Sequence, residues 1–197
     1  KVFGPAMAIL AGDGLLTKAF QAAADNAAEL HLPGKAVADL IGLIAYGAGC
    51  EGMVAGQVAD LAAEGRAKRP NRAALARILE AVHRRKTGAL IVASLDAGGV
   101  LAGASTIKRS ALRSFGERIG LAFQIADDVL DVVGDKKKLG KLGSDRDNDK
   151  LTYASLYGVA GARLRARNLA RAAHARLKPF GARAAILHEL ADYIISR

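Results

Sequence analysis

Between Gly120 and Val133, all four polar side chains fall on one side of a helix. At about 100° per residue, Gln124, Asp127, Asp128 and Asp131 occupy an arc about 100° wide. Arg113, Glu117 and Gly120 continue that stripe towards the N-terminus. The rest of the turn-by-turn surface is apolar: Leu121, Phe123, Ile125, Val129, Leu130, Val132 and Val133. A helix polar along so narrow a strip must be buried on its other sides, so the fold has to wrap neighbours around it. The same helical period recurs along the chain and no convincing strand alternation interrupts it. The expected fold class is therefore all-α.

Punctuation divides the chain into helices. Pro5 suits a first turn, and that helix runs towards Leu30 before His31–Gly34 break it. A second helix spans about 35–47, and a glycine step through Gly49 and Gly52 leads to a third ending near Glu64. Gly65–Pro70 reads as a basic turn. Asn71 and Ser105 can cap long helices that reach about Leu101 and Val133. A polar loop, Gly134–Lys150, precedes a short helical turn at Tyr153–Tyr157 and two closing helices divided at Pro179 and Gly181. No repeat or linker appears, so residues 1–197 read as one domain. With 51% hydrophobic residues, 197 residues can bury a sizeable core.

The formal charge of +10, from 29 Lys+Arg against 19 Asp+Glu, suggests an anionic partner. Nucleic acid is not expected, because aromatics are 5% of the chain and the most distinctive site is acidic. Much of the excess, the arginines between Arg163 and Arg176, reads as solvated surface. Charges at Asp13, Lys18, Asp39, Glu51 and Asp60 interrupt the apolar runs, so no membrane span is expected. A single cysteine, Cys50, excludes an internal disulfide and fits a reducing, cytoplasmic setting.

Three carboxylates on one turn of a mostly buried helix repel one another, increasingly so as the dielectric falls. A cation resolves this, and Mg2+ suits it: it prefers oxygen, takes few carboxylates and keeps positions for phosphate and water. The alternative is a water-facing stripe without a ligand. A second anomaly is Lys86, which falls within the apolar stripe Leu75, Leu79, Val82, Leu90, Ala93, Ala97 and Val100. A buried ammonium is costly unless paired. Either it pairs with a neighbouring helix or snorkels, or it points into a cavity and grips an anion beside Thr87 and Gly88.

These segments, in order, resemble the trans-type polyprenyl diphosphate synthases, the farnesyl and geranylgeranyl diphosphate synthase family. The matching stretches are Phe3-Gly4 followed by Met7–Asp13, the Gly-Gln-x-x-Asp helix at Gly52–Leu61, the Lys-Thr-Gly helix at His83–Leu90, the aspartate-rich Gly120–Asp135, and the lysine-bearing Leu139–Tyr153, with Pro5 a departure from the pattern. The resemblance implies an isoprenoid-synthase-type helical bundle around a central cavity, of which this chain is the C-terminal two-thirds. It implies condensation of isopentenyl diphosphate with an allylic diphosphate. Asp127, Asp128 and Asp131 match magnesium-binding aspartates; Lys86, Lys141 and Lys150 match lysines that hold the allylic diphosphate. Thr87 and Gln124 match polar groups near the forming carbocation, Gln57 a glutamine at the site, and Phe123 an aromatic beside the isopentenyl group. Asp13 and Asp60 read as structural. Family analogy also implies a homodimer. The family's first aspartate-rich motif is expected upstream of Lys1, and with it the determinants of product length. The alternative, from a different class, is a non-catalytic subunit that modulates another prenyl synthase.

Overall fold

The aspartate-bearing segment forms a 28-residue helix, α6 (Thr106–Val133), and the helices before and after it in the sequence pack against it. The structure is a computed structural model that describes residues 2–63, 71–134 and 151–196. The other elements in chain order are α1 (Gly4–Glu29), α2 (Gly34–Ala48), α3 (Met53–Ala63), α4 (Arg72–His83), α5 (Ala89–Leu101), α7 (Tyr153–His174) and α8 (Ala185–Ser196). No strand occurs among the described residues. The expected turn at Gly65–Pro70 and most of the loop ending at Lys150 lie outside them.

The side-chain chemistry accounts for the boundaries. Asn71 Oδ1 accepts the Ala74 N–H at 3.1 Å, the cap expected at the start of α4. Thr152 caps α7 through a reciprocal pair. Its hydroxyl accepts the Ser155 N–H, and Ser155 Oγ accepts the Thr152 N–H, each at 3.0 Å. Gly158, with φ of 70°, kinks α7 after one turn, so Tyr153–Tyr157 is the short helical turn that the sequence suggests. The closing division is a tight 3-10 stretch at Ala175–Ala184 containing Pro179 and Gly181.

On α6 the buried residues include Phe115, Ile119, Leu121, Ala122, Ile125 and Val129. Against them α7 presents Ala162, Ala166, Ala170 and Ala173, all buried. That small-residue stripe lets the two long helices pack closely. The intervening arginines, Arg163, Arg167, Arg171 and Arg176, face solvent as expected. Leu75, Leu79 and Tyr153 join one side of this core, and Leu177, Ala191 and Ile194 the other.

The early helices are less covered. Of the 26 residues of α1 only Ala27 is buried, and Ile9, Leu10 and Leu15 are more than half exposed. On α3, Val58 and Leu61 are similarly open. By length and composition alone, Gly34–Ala63 passes as a candidate membrane span. The backbone breaks at 49–52, however, into helices of 15 and 11 residues. Each is shorter than the roughly 20 residues that a bilayer crossing requires.

Candidate functional site

The long helix expected from Asn71 to Leu101 is continuous, but it contains one wide turn. Arg84–Gly88 form a π-helical segment between α4 and α5. Such turns admit one extra residue and recur at functional sites. This one carries Lys86 and Thr87, both half-buried. Lys86 Nζ donates to Asp60 Oδ2 of α3 at 2.7 Å. The pair answers the burial cost of the ammonium and leaves it further hydrogens for an anion.

Close approach of α3 makes this pair possible. A Cβ on Gly56 would lie 2.1 Å from the Lys86 nitrogen and 2.4 Å from its Cα. Only glycine fits there, and Asp60 follows one turn later on the same face. The Gly-Gln-x-x-Asp spacing thus has a mechanical meaning: the glycine brings α3 up to the wide turn, and the aspartate meets its lysine. Gln57, between them, is exposed.

Lys86 and Thr87 line a cavity of about 570 Å³ with Leu90, Phe115, Phe123 and Leu190. The cavity is apolar apart from that lysine and its hydroxyl neighbours. Phe123 therefore lines the same cavity as Lys86 and Thr87. A second cavity of about 610 Å³, lined by Tyr46, Glu51, Arg84, Arg85 and Arg113 among others, includes none of the sequence-predicted site residues.

The aspartates of α6 separate into two environments. Asp127 and Asp131, one turn apart, are half-buried, as is Gln124. Asp128 lies at the edge of the stripe and is buried. Its Oδ2 accepts the Tyr153 N–H at 2.8 Å and lies 3.3 Å from His83 Nε2. Among the described residues no three His, Cys, Asp or Glu side chains gather into a ready-made metal cage. Lys141 and Lys150 lie outside the described residues.

Sequence reasoning missed two charged networks. Asp96, 1% exposed, accepts from Arg109 Nε at 2.7 Å and Arg113 Nη1 at 2.9 Å. Burial pulls its pKa up, but these hydrogen bonds and charges outweigh that and hold it below the usual value. It therefore locks α5 to α6. Glu80 is likewise pulled up by burial, yet held low overall by Arg84 and Arg165. Beside it, burial and then the Glu80 charge push the Tyr153 phenol up. A lone acid in an apolar segment was the available signal for Asp96.

The sequence model of the family described as Polyprenyl synthetase matches residues 1–187. The chain is 46% identical over 164 residues to farnesyl diphosphate synthase of Geobacillus stearothermophilus, covering 83% of this chain and 53% of that protein. It is 39% identical over 198 residues to farnesyl diphosphate synthase of Bacillus subtilis, covering all of this chain and 64% of that one. The apo structure of a FPP/GFPP synthase from Zymomonas mobilis superposes with a TM-score of 0.79 at 36% identity, over 98% of this chain and 62% of that one. A geranyltransferase from Helicobacter pylori, complexed with magnesium and isoprenyl diphosphate, does so with a TM-score of 0.76 at 28% identity, over 98% and 61%. The chain thus spans between half and two-thirds of the length of these relatives. A family model that matches nearly the whole chain, and relatives 39–46% identical to it, show that the chain belongs to the polyprenyl synthetase family.

Proposed function

We propose that this chain carries the diphosphate-holding wall of a prenyltransferase that joins isopentenyl diphosphate to an allylic diphosphate. The observation that carries the reading is the contact of Lys86 and Thr87 with an apolar cavity large enough for a short isoprenoid tail. An amphiphilic substrate needs this pairing: cationic donors for the head group and an apolar space for the chain.

Asp127 and Asp131 would hold magnesium on this wall. Their chemistry fits it: two half-buried carboxylates at i and i+4, oxygen donors only, with no closed cage around them among the described residues. When bound, magnesium supplies charge neutralisation of the departing diphosphate. The chain's own residues do the remainder. Lys86, paired with Asp60, would offer a positive charge to the leaving group as it gains negative charge. The Thr87 hydroxyl and Gln124 amide present dipoles that stabilise a cation without attacking it. Leu90, Phe115 and Phe123 keep water from the carbon skeleton. Phe123, on the cavity wall, would pack beside the isopentenyl group, and holding both substrates side by side would make bond formation effectively intramolecular. Gln57, Lys141 and Lys150 belong to the same proposed site. Homodimer formation through the early helices is part of the proposal, and the open apolar residues of α1 and α3 support it.

The test is incubation of the protein with isopentenyl diphosphate and each allylic diphosphate, with magnesium or with chelator, followed by mass spectrometry of the products. Chelator-sensitive elongation, lost in Lys86→Met, is the expected result. Elongation that survives Lys86→Met would overturn the assignment of that wall.

A further inference from the structure

Asp128 sits in the aspartate run, but its surroundings are those of a strut. It is 7% exposed, and its Oδ2 meets two nitrogens from two other helices. One is the Tyr153 N–H, which belongs to the first residue of α7. An N–H in the first turn has no acceptor within its own helix, and a carboxylate there is also favoured by the helix dipole. The other is His83 Nε2, from the last residue of α4. The His83 ring stacks on the Tyr153 ring at 5.7 Å, and Tyr153 stacks in turn on Tyr157. His83 is 5% exposed, and its Nδ1 is buried with no hydrogen-bond partner. An imidazole with one orphan nitrogen is disfavoured in such a place. Its Nε2 contact with Asp128 is the polar interaction that offsets this.

We propose that Asp128 anchors the start of α7 instead of ligating magnesium, with His83 as the positioning residue that holds the carboxylate in place. The anchor joins position 128 to position 153, the two sides of the segment in which Lys141 and Lys150 occur in sequence. It fixes the first turn of α7 relative to Asp127 and Asp131. The functional consequence rests on the prenyltransferase reading; the anchor itself does not.

The experiment pairs hydrogen exchange at the Tyr153 amide with calorimetric binding of inorganic pyrophosphate across a magnesium series. In His83→Leu and in Asp128→Leu, exchange at Tyr153 should accelerate on the order of ten-fold. Pyrophosphate affinity should fall while the magnesium midpoint stays where it was. His83→Gln, which keeps an amide nitrogen near the Nε2 position, should restore protection. Asp127→Asn should move the magnesium midpoint and leave Tyr153 exchange unchanged. The anchor is refuted if Asp128→Leu shifts the magnesium midpoint as Asp127→Asn does while Tyr153 stays protected. Unprotected Tyr153 in a folded His83→Gln would refute the role of His83, and this arm still decides the matter should His83→Leu not fold. If the unmodified protein binds no pyrophosphate at any magnesium level, the prenyltransferase reading fails, and the exchange data still judge the anchor.

Discussion

Replacing Gly56 by alanine should harm this protein, although the same change usually helps a helix. In a helix interior, glycine to alanine gains about 1 kcal/mol. At Gly56 the new methyl would meet the Lys86 nitrogen at 2.1 Å, the Lys86 Cα at 2.4 Å and the Arg85 carbonyl carbon at 2.7 Å. All three are backbone atoms, so no side chain can swing aside. Ordinary carbon contacts need about 3.5 Å, and α3 must therefore retreat from the wide turn by about 1 Å or more. Overpacking of this kind costs about 1–3 kcal/mol. Taking the upper end against the helix gain leaves a net loss of about 2 kcal/mol, or about 4–8 °C in Tm for a chain of this length. Retreat would also draw Asp60 from Lys86, so pyrophosphate affinity should fall in parallel. The assay is urea and thermal unfolding of Gly56→Ala beside Gly98→Ala. Gly98 is a helix glycine away from the α3 contact, and the methyl that alanine adds there has nothing within 4 Å of it. Its alanine variant should be stabilised. If the two variants shift stability the same way, the close-approach argument fails.

Other consequences can be measured in the same way. Asp96→Ala leaves Arg109 and Arg113 facing a buried gap and should cost about 3 kcal/mol in urea unfolding; a loss below about 1 kcal/mol would mean that the arginines find water. Asp96 and Glu80 have folded pKa values below their ordinary 3.8 and 4.5. Their contribution is therefore complete above those values and disappears as pH falls through the lower folded ones. The urea midpoint should drop from about pH 4.5 downwards, and Asp96→Asn should flatten part of that fall. Asp60→Asn strands the Lys86 ammonium; with side chains 15% and 30% exposed, screening limits the cost to about 1–2 kcal/mol. Crystallography of that variant should show Lys86 turned away from α3.

The helices, the cap at Asn71, the first-turn Pro5 and the break after Tyr157 were legible because each rests on local chemistry that a short window contains. Lys86 was legible as an anomaly, since a charge in an apolar stripe needs a reason. That its partner is Asp60 was not, because nothing in the sequence says that α3 crosses at that turn. The aspartate run shows the same boundary. Spacing places Asp127, Asp128 and Asp131 on one arc, but an arc about 100° wide spans two neighbourhoods. Only the packing of α4 and α7 assigns one edge of it to Tyr153 and His83. The Asp96 pairs escaped for the same reason: Arg109 and Arg113 lie on the next helix.

The wide turn at Arg84–Gly88 also acts as a phase shifter. In an uninterrupted α-helix, α4 and α5 would share a single angular register, and every residue of α5 would be fixed by where α4 points. One additional residue in the turn sets α5 back by about 100°, so the two halves are free to satisfy different neighbours. Upstream the helix buries Leu75, Leu79 and Val82; downstream it buries Ala93, Asp96 and Val100. Deleting any one residue from the turn would let the backbone ladder close into a regular helix. It would also rotate Asp96 away from its two arginines and swing the face that carries Leu90 off the cavity. What this stretch must preserve is therefore its residue count as much as its side chains, and the wide turn is a part of the chain that cannot lose a residue without turning everything downstream of it.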